Sequence, residues 1–495
     1  MINFDRVPII KGLEFYKNQN NTAFHMPGHK QNQRIFEELE VLKANVYSYD
    51  LTEVPGTDNL YEAEEMIKDA QVLLAEAMGS KKSYMLVNGS TCGIYSMILG
   101  LLNKNDKIIV QRNCHKSVFT AIYLGNLSSI YVYPKVIKDF DIASTVDAYD
   151  LAEVIKENKD AKAVVITSPT YYGTCAYIKE ISNLCKENNM LLLVDEAHGA
   201  HFNFSSLLPE TAISLGADIA VTSFHKTLPA LTQTAVLNLS HSLSDAQIEK
   251  IESKLQMFQS SSPSYLFLAS IDMARYLMET KGEMLTRELK ANIDKVKEAL
   301  SDIRGIRVLD ETNLENESYD FTRLVINTPL SGNYLAELLR SKYNIQVEMA
   351  DFNNIVLIGT VADTSIMYEN LVKALKDIFA DSNYEAQLNN HINEARKDSN
   401  SININSYKLM PKPKTVINWH EAEELKRELV ELDDSIGRIS AESLVPYPPG
   451  VPLVLPGEEI TSEIITYINA IKSDSLKLTK SLSSKEADKI YVIKI

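Results

Sequence analysis

The chain has 495 residues, too many for one ordinary domain and enough to bury more than one core. Its 45% hydrophobic and 23% charged residues are ordinary for a soluble globular protein. A net charge of −16 argues against nucleic acid and anionic membranes as partners and suits a cationic small molecule.

The opening stretch MINFDRVPIIKGLEF lacks the long apolar run of a signal peptide, and nothing reaches the roughly 20 apolar residues of a membrane span. The four cysteines, Cys92, Cys114, Cys175 and Cys185, show no C-x-x-C spacing. They read as reduced thiols of a cytoplasmic protein, not a disulfide frame or a metal site.

Residues 1–60 read as irregular, with Pro-Gly turns at 27–28 and 55–56. Ala63, Ile67, Ala70, Leu74 and Ala77 then recur at helical spacing, and Gly79 ends the helix. Strands are expected at 84–87, 107–110, 130–133, 163–167, 190–195, 219–223 and 235–239, with helices between most of them. Such alternation predicts an α/β fold with a mostly parallel sheet, whose ligand lies at the carboxyl ends of the strands.

A long helical stretch, 242–290, closes this first domain, expected over 1–290. A small α/β domain is expected over 291–385, with strands at 322–327, 346–349 and 355–358 and helices near 334–342 and 366–379. Residues 386–414, rich in Asn and Ser and ending Pro-Lys-Pro-Lys, read as a linker. A C-terminal domain then spans 415–495.

Polar clusters fall where the strands end. Asp195 follows Leu191-Leu-Leu-Val194, and a carboxylate there costs free energy unless partnered. A protonated pyridine nitrogen is one such partner. Lys226, in Thr222-Ser-Phe-His-Lys-Thr227, ends another strand and has the amine that forms a Schiff base. Together they are the parts needed to hold pyridoxal phosphate.

Small Ala197 leaves room for a ring, and His198 could donate to a phenolic oxygen. Asn88-Gly-Ser-Thr91, at a helix expected to begin near Cys92, offers the hydroxyls of Ser90 and Thr91 and free amides to a phosphate. Ser223 and His225 are within reach of the same phosphate. His115 could stack on a pyridine ring, and Thr170, in Ser168-Pro-Thr-Tyr-Tyr-Gly173, could reach the cofactor's oxygen. Alone, each has a plainer reading: Asp195 as a cap, Lys226 as a solvated lysine, 88–91 as an N-cap turn, His115 as a capping or surface residue, 168–173 as an aromatic turn. In company, the cofactor reading is the better one.

Asp-Glu-Ala-His also labels a class of helicases, but the phosphate loop G-x-x-x-x-G-K-[ST] which they need is missing. Cys114-His115 has no third ligand at sensible spacing, and Pro27-Gly28 breaks the helix that His25 and His29 would share. No metal is expected.

Phe24-His-Met-Pro-Gly-His-Lys30, Asp50-Leu-Thr-Glu-Val-Pro-Gly56, Asn88-Gly-Ser-Thr91, Asn113-Cys-His-Lys-Ser117, Ser168–Gly173, Asp195-Glu-Ala-His198, 222–233 and 447–458 follow one another in an order that resembles the Orn/Lys/Arg decarboxylase family of fold-type-I pyridoxal-phosphate enzymes. The resemblance covers most of the chain. It is to the short, biosynthetic arginine decarboxylase form, without the N-terminal wing domain of the large acid-inducible members. Gly89-Ser90-Thr91 stands where many members read Gly-Thr-Ser, and both orders keep two hydroxyls.

The resemblance implies an aspartate-aminotransferase-like large domain and the cofactor pyridoxal 5'-phosphate. Lys226 would carry the covalent link, Asp195 would pair with the ring nitrogen, and His115 would stack on the ring. Ser90, Thr91, Ser223 and His225 would bind the phosphate. His198 and Thr170 would sit near the phenolic oxygen or the substrate, with His198 or Lys226 returning a proton. It further implies homodimers or larger assemblies, with the Ser260–Tyr265 loop reaching a neighbour's phosphate.

The expected reaction is decarboxylation of a basic L-amino acid, arginine before lysine or ornithine, feeding polyamine synthesis. Aminotransfer and a catalytically silent regulatory homologue are the alternatives. Glu442, Glu458 and Asp50 are candidates for the substrate's distal group by sign of charge alone.

Overall fold

The computed structural model describes residues 7–32, 34, 36–315, 317–380, 411–447, 450–473, 477–482 and 488–494. All but the last four residues of the expected linker, and 448–449 within the 447–458 segment, lie outside the described residues.

All seven strands expected before residue 240 form, and they make one sheet. Its order is Lys82–Leu86, Ala235–Leu239, Ile219–Thr222, Leu191–Asp195, Ala163–Thr167, Lys107–Gln111, Ser128–Val132. Ala235–Leu239 runs antiparallel to both neighbours, and the other pairings are parallel. The strands are continuous apolar runs because helices cover both faces. Leu192, Leu193 and Val194 are fully buried, and each such side chain contributes roughly 1.5–3 kcal/mol.

Pro8–Asn18, Glu37–Ala44 and Val46–Tyr49 are helical within the stretch read as irregular, and two of the expected helices also differ. The first begins at Met66, not near Ala63, because the Asp58 carboxylate accepts the N–H groups of Glu64, Glu65 and Ile67 and so fixes where the helix starts. The 242–290 stretch is two helices, Asp245–Phe258 and Tyr265–Leu300, split by the serine-rich turn containing Pro263. A Ser244–Gln247 capping box starts the former.

In the small domain the sheet runs Arg307–Val308, Arg323–Asn327, Asn354–Ile358, Met349–Ala350, antiparallel throughout. Helices Gly332–Tyr343 and Ser365–Phe379 cover it. The N-terminal strand Thr22–Phe24 pairs in parallel with Ile345–Val347, and Phe24 is buried in the small-domain core.

Arg427–Glu431 pairs with Lys489–Ile493, and Leu444–Tyr447 with Lys477–Lys480, around a core that includes Val454, Ile464 and Ile490. Leu455 packs into the core of the large sheet, which seats this C-terminal part on it. Among the described residues no helix is long and apolar enough to cross a membrane.

Candidate active site

A cavity of about 300 Å³ opens at the carboxyl ends of the parallel strands. The large domain, the small domain and the C-terminal part each contribute to its walls. Of the residues expected in the site, Ser90, Thr91, His115, Thr170, Asp195, His198, His225 and Lys226 all line it. Ser223 does not; it is fully buried, and its hydroxyl has no hydrogen-bond partner.

Asp195 is the last residue of its strand, in register with Thr167 and Val221. It is 4% exposed, and its Oδ1 accepts the Ala197 N–H at 3.2 Å. Burial pushes its pKa up, and the nearby charge of Lys226 opposes that.

Lys226 stands on a single helical turn, Phe224–Thr227, anchored by the fully buried Phe224. Its Nζ is 3.0 Å from His198 Nε2. Burial lowers the lysine's pKa, Asp195 and Glu348 oppose that, and Arg323 adds to it. His198 is held from the other side by Arg323, whose NH2 lies 3.2 Å from both Nδ1 and the His198 carbonyl oxygen. Burial first, then the charges of Lys226 and Arg323, hold its pKa well below the usual histidine range.

The helix carrying Ser90 and Thr91 runs Gly89–Leu101, three residues earlier than expected, so both hydroxyls lie in its first turn. Gly89, at φ +72°, donates its N–H to Gln233 O at 2.8 Å. Asn88 makes no side-chain cap, so the next amides are left for a ligand.

His115 both lines the cavity and caps the Lys116–Gly125 helix, accepting the Ser117 N–H at Nδ1. Its ring is open to the cavity, yet the protein around it brings its pKa down to about 4, by desolvation first and then by Lys226 and Lys116. The Thr170 hydroxyl is 2.7 Å from that of Thr174. His225 donates its Nδ1–H to Thr234 O at 2.9 Å, which leaves Nε2 for a ligand.

The three charge-based candidates for a distal contact are elsewhere. Asp50 is exposed away from the cavity, and Glu442 accepts the N–H groups of Leu482 and Tyr491. Glu458 pairs with Arg112 at 3.2 Å. A carboxylate that does line the cavity, Asp351, was missed. Tyr172 donates its hydroxyl to Asp351 Oδ2 at 2.8 Å, and the N–H groups of Asn353 and Asn354 donate to Oδ1. Also missed were Arg323 and the bond from the Tyr171 hydroxyl to Glu348. An arginine opening the apolar run Arg323–Asn327 was the signal for the first; Asp351 sits in a polar turn with none.

The donor set fits pyridoxal 5'-phosphate. It offers an amine, a buried carboxylate, an uncapped helix start with two hydroxyls, and a buried, unpartnered hydroxyl three residues before the amine.

Comparison with known proteins points the same way. The family described as Orn/Lys/Arg decarboxylase, major domain, matches residues 7–325, and its C-terminal domain matches residues 405–478. Arginine decarboxylase of Bacillus subtilis is 34% identical over 93% of this chain and 92% of its own length. The inducible lysine decarboxylase of Escherichia coli K12 is 23% identical over 93% of this chain and 76% of its own. Among solved structures, the Francisella novicida lysine decarboxylase LdcF superposes with a TM-score of 0.78 at 20% identity, covering 97% of this chain and 80% of that one.

Proposed function

Since the chain belongs to the Orn/Lys/Arg decarboxylase family, we propose that it decarboxylates a basic L-amino acid, arginine before lysine or ornithine, with pyridoxal 5'-phosphate as cofactor. The observation that carries this reading is the meeting of Lys226, Asp195 and the 89–91 helix start in one cavity. The product amine would feed polyamine synthesis.

When bound, the cofactor supplies a cationic ring that takes up the electron pair left at Cα as the carboxylate departs. Asp195 would accept the ring N–H, and its burial would make that charge-assisted bond strong. Lys226 Nζ would anchor the aldehyde end. His115, kept neutral, would face the ring without competing for its charge. The amides and hydroxyls of Ser90 and Thr91, with His225 Nε2 and the unpartnered hydroxyl of Ser223, would hold the phosphate.

Val451, Leu453 and Met349 give the cavity apolar walls that keep water from the carboxylate to be lost. Lys226 Nζ or His198 Nε2 returns the proton to Cα. Asp351 is the acceptor for the substrate's distal cation, since four donors, two of them backbone amides, already fix its carboxylate in place. In this reading the C-terminal part completes one wall of the cavity, through Pro446, Val451, Leu453 and Tyr467.

The chain also self-associates, as a homodimer or larger. The helix Pro8–Asn18 buries none of its residues, and Ile9 and Phe15 are 76% and 70% exposed. Four buried free thiols fit a reducing cytoplasm.

Carbon dioxide release from arginine, lysine and ornithine by the purified holoenzyme tests the reading. Release is expected with arginine first. No release from any of them, with keto-acid formed instead, would turn the assignment to aminotransfer.

A further inference from the structure

We propose that Arg323 is a positioning residue: it fixes His198 as the Nε2–H tautomer and so presents Lys226 as a free amine. The inference rests on the proposed cofactor role of Lys226.

The geometry leaves little choice of protonation. A guanidinium can only donate, so the 3.2 Å approach of Arg323 NH2 requires a bare Nδ1 on His198. A neutral imidazole then carries its hydrogen on Nε2. That Nε2–H faces Lys226 Nζ at 3.0 Å, and it needs a lone pair to donate to. An ammonium has none. An ammonium donating to a bare Nε2 would leave the ring with no hydrogen at all, an imidazolate, which has no place at neutral pH. An imidazolium would turn an Nδ1–H toward the guanidinium and set a third cation between two others.

Arg323 is itself held rigidly. It is fully buried, and its NH1 donates to Thr322 Oγ1 at 3.1 Å. That hydroxyl donates to Asp320 Oδ1 at 2.7 Å, and His201 Nε2 meets the same carboxylate oxygen at 3.2 Å. Gly173 makes room for it: a Cβ there would come within 2.8 Å of the Arg323 Cβ. A relay of buried polar groups thus runs from Asp320 through Thr322, Arg323 and His198 to the cofactor amine.

The groups that face Lys226 are the carboxylates Asp195 and Glu348, the guanidinium of Arg323, and the imidazoles of His115, His198 and His225. The two carboxylates favour an ammonium, and the tautomer lock works against them. As a free amine, Nζ can attack the cofactor's aldehyde directly. Its lone pair forms the new bond to carbon, and its two hydrogens leave with the aldehyde oxygen as one water.

Two measurements on the full chain test this. In protein freed of cofactor and labelled with ¹⁵N-histidine, the His198 ring, identified by the signal lost in His198→Gln, should show hydrogen on Nε2 alone. A hydrogen on Nδ1, or an imidazolium, overturns the proposal. The second measurement follows capture of pyridoxal 5'-phosphate by absorbance against pH, with borohydride reduction and peptide mapping to confirm Lys226. Arg323→Met should slow capture about tenfold on the acid side and match the parent on the alkaline side, as the loss of a cation that holds the lysine's titration down requires. Arg323→Lys, which keeps a donor-only cation, should restore part of the acid-side rate. Equal slowing at every pH, or none, overturns the proposal. Absence of capture at Lys226 in the parent chain overturns the cofactor reading itself.

Discussion

Among the described residues two arginines, Arg112 and Arg323, are the largest fully buried side chains, and they are used in opposite ways. Arg112 meets a carboxylate, Glu458 Oε2, at 3.2 Å, with both side chains 1% exposed. It also donates to the carbonyls of Pro452 and Leu453 and lies over the rings of Phe119 and Tyr131. Arg323 has its nearest carboxylate oxygen, Asp320 Oδ2, 3.8 Å from NH1, and points NH2 at a neutral imidazole. The first arginine is neutralised and locks the C-terminal part onto the large sheet. The second pairs only at longer range, with Asp320, and turns its NH2 toward His198 in the cavity wall. Burial alone therefore does not tell a clamp from a catalytic support; what the buried charge faces does.

The largest effect should come from the chemical side of this contrast. Lys226→Ala should abolish cofactor capture and lower turnover by roughly 10³-fold or more, read as carbon dioxide release, while leaving the melting temperature nearly unchanged. Turnover close to that of the parent chain would move the chemistry off the Arg323 side.

On the clamp side the effect should be on stability. Arg112→Met strands Glu458 as an uncompensated buried charge, which costs about 3–5 kcal/mol, seen as a lower denaturation midpoint. Adding Glu458→Gln should recover much of the loss. Because Arg112 holds the carbonyls of Pro452 and Leu453, and Leu453 lines the cavity, some activity should fall with it. A stable single variant would break the contrast.

How much of this was legible in the sequence follows the same division. Strands such as Leu191–Asp195 announce themselves because apolar runs have to be buried, and a charge at their end has to be explained. That is why Asp195 and Lys226 could be named in advance. Glu458 could not be sorted, since its partner Arg112 is 346 residues away and only the fold joins them. The antiparallel small sheet was equally hidden: its strand lengths and spacing suit either direction. The Met66 helix start depended on a carboxylate spent on four backbone amides, which no periodicity reports.

A third test lies beside Asp195. Glu196 is 2% exposed, its Oε1 accepts the Ala212 N–H at 2.7 Å, and burial pushes its pKa up to about 8. The folded state therefore holds its proton more tightly than the unfolded chain does. That contribution is fully present below the unfolded value, near 4.5, and is lost as pH rises through about 8. The loss is at most ~1.4 kcal/mol per pH unit across that window. Glu196→Gln keeps the acceptor and removes the titration, so its stability should be flatter with pH and exceed the parent's above pH 8. Parallel stability curves for the two proteins would mean that Glu196 stays charged, as a clamp residue does.

The smallest expected effect bears on which charge the cavity is built to receive. Asp351 resembles the clamp residues in being a well-held carboxylate, yet it has no cationic partner among its hydrogen bonds. Burial pushes its pKa up, and a guanidinium or ammonium arriving from the substrate would bring it back down. Asp351→Asn keeps the size of the side chain and one acceptor oxygen while removing that charge. It should raise KM for the basic amino acid by about tenfold, ~1.4 kcal/mol, with kcat changed much less. The loss should shrink for an uncharged analogue of the same length, because only the cation needs the carboxylate. An equal loss for both would make Asp351 a turn cap and nothing more, and the distal recognition would then have to come from the aromatic walls, Tyr172 and Phe352, alone.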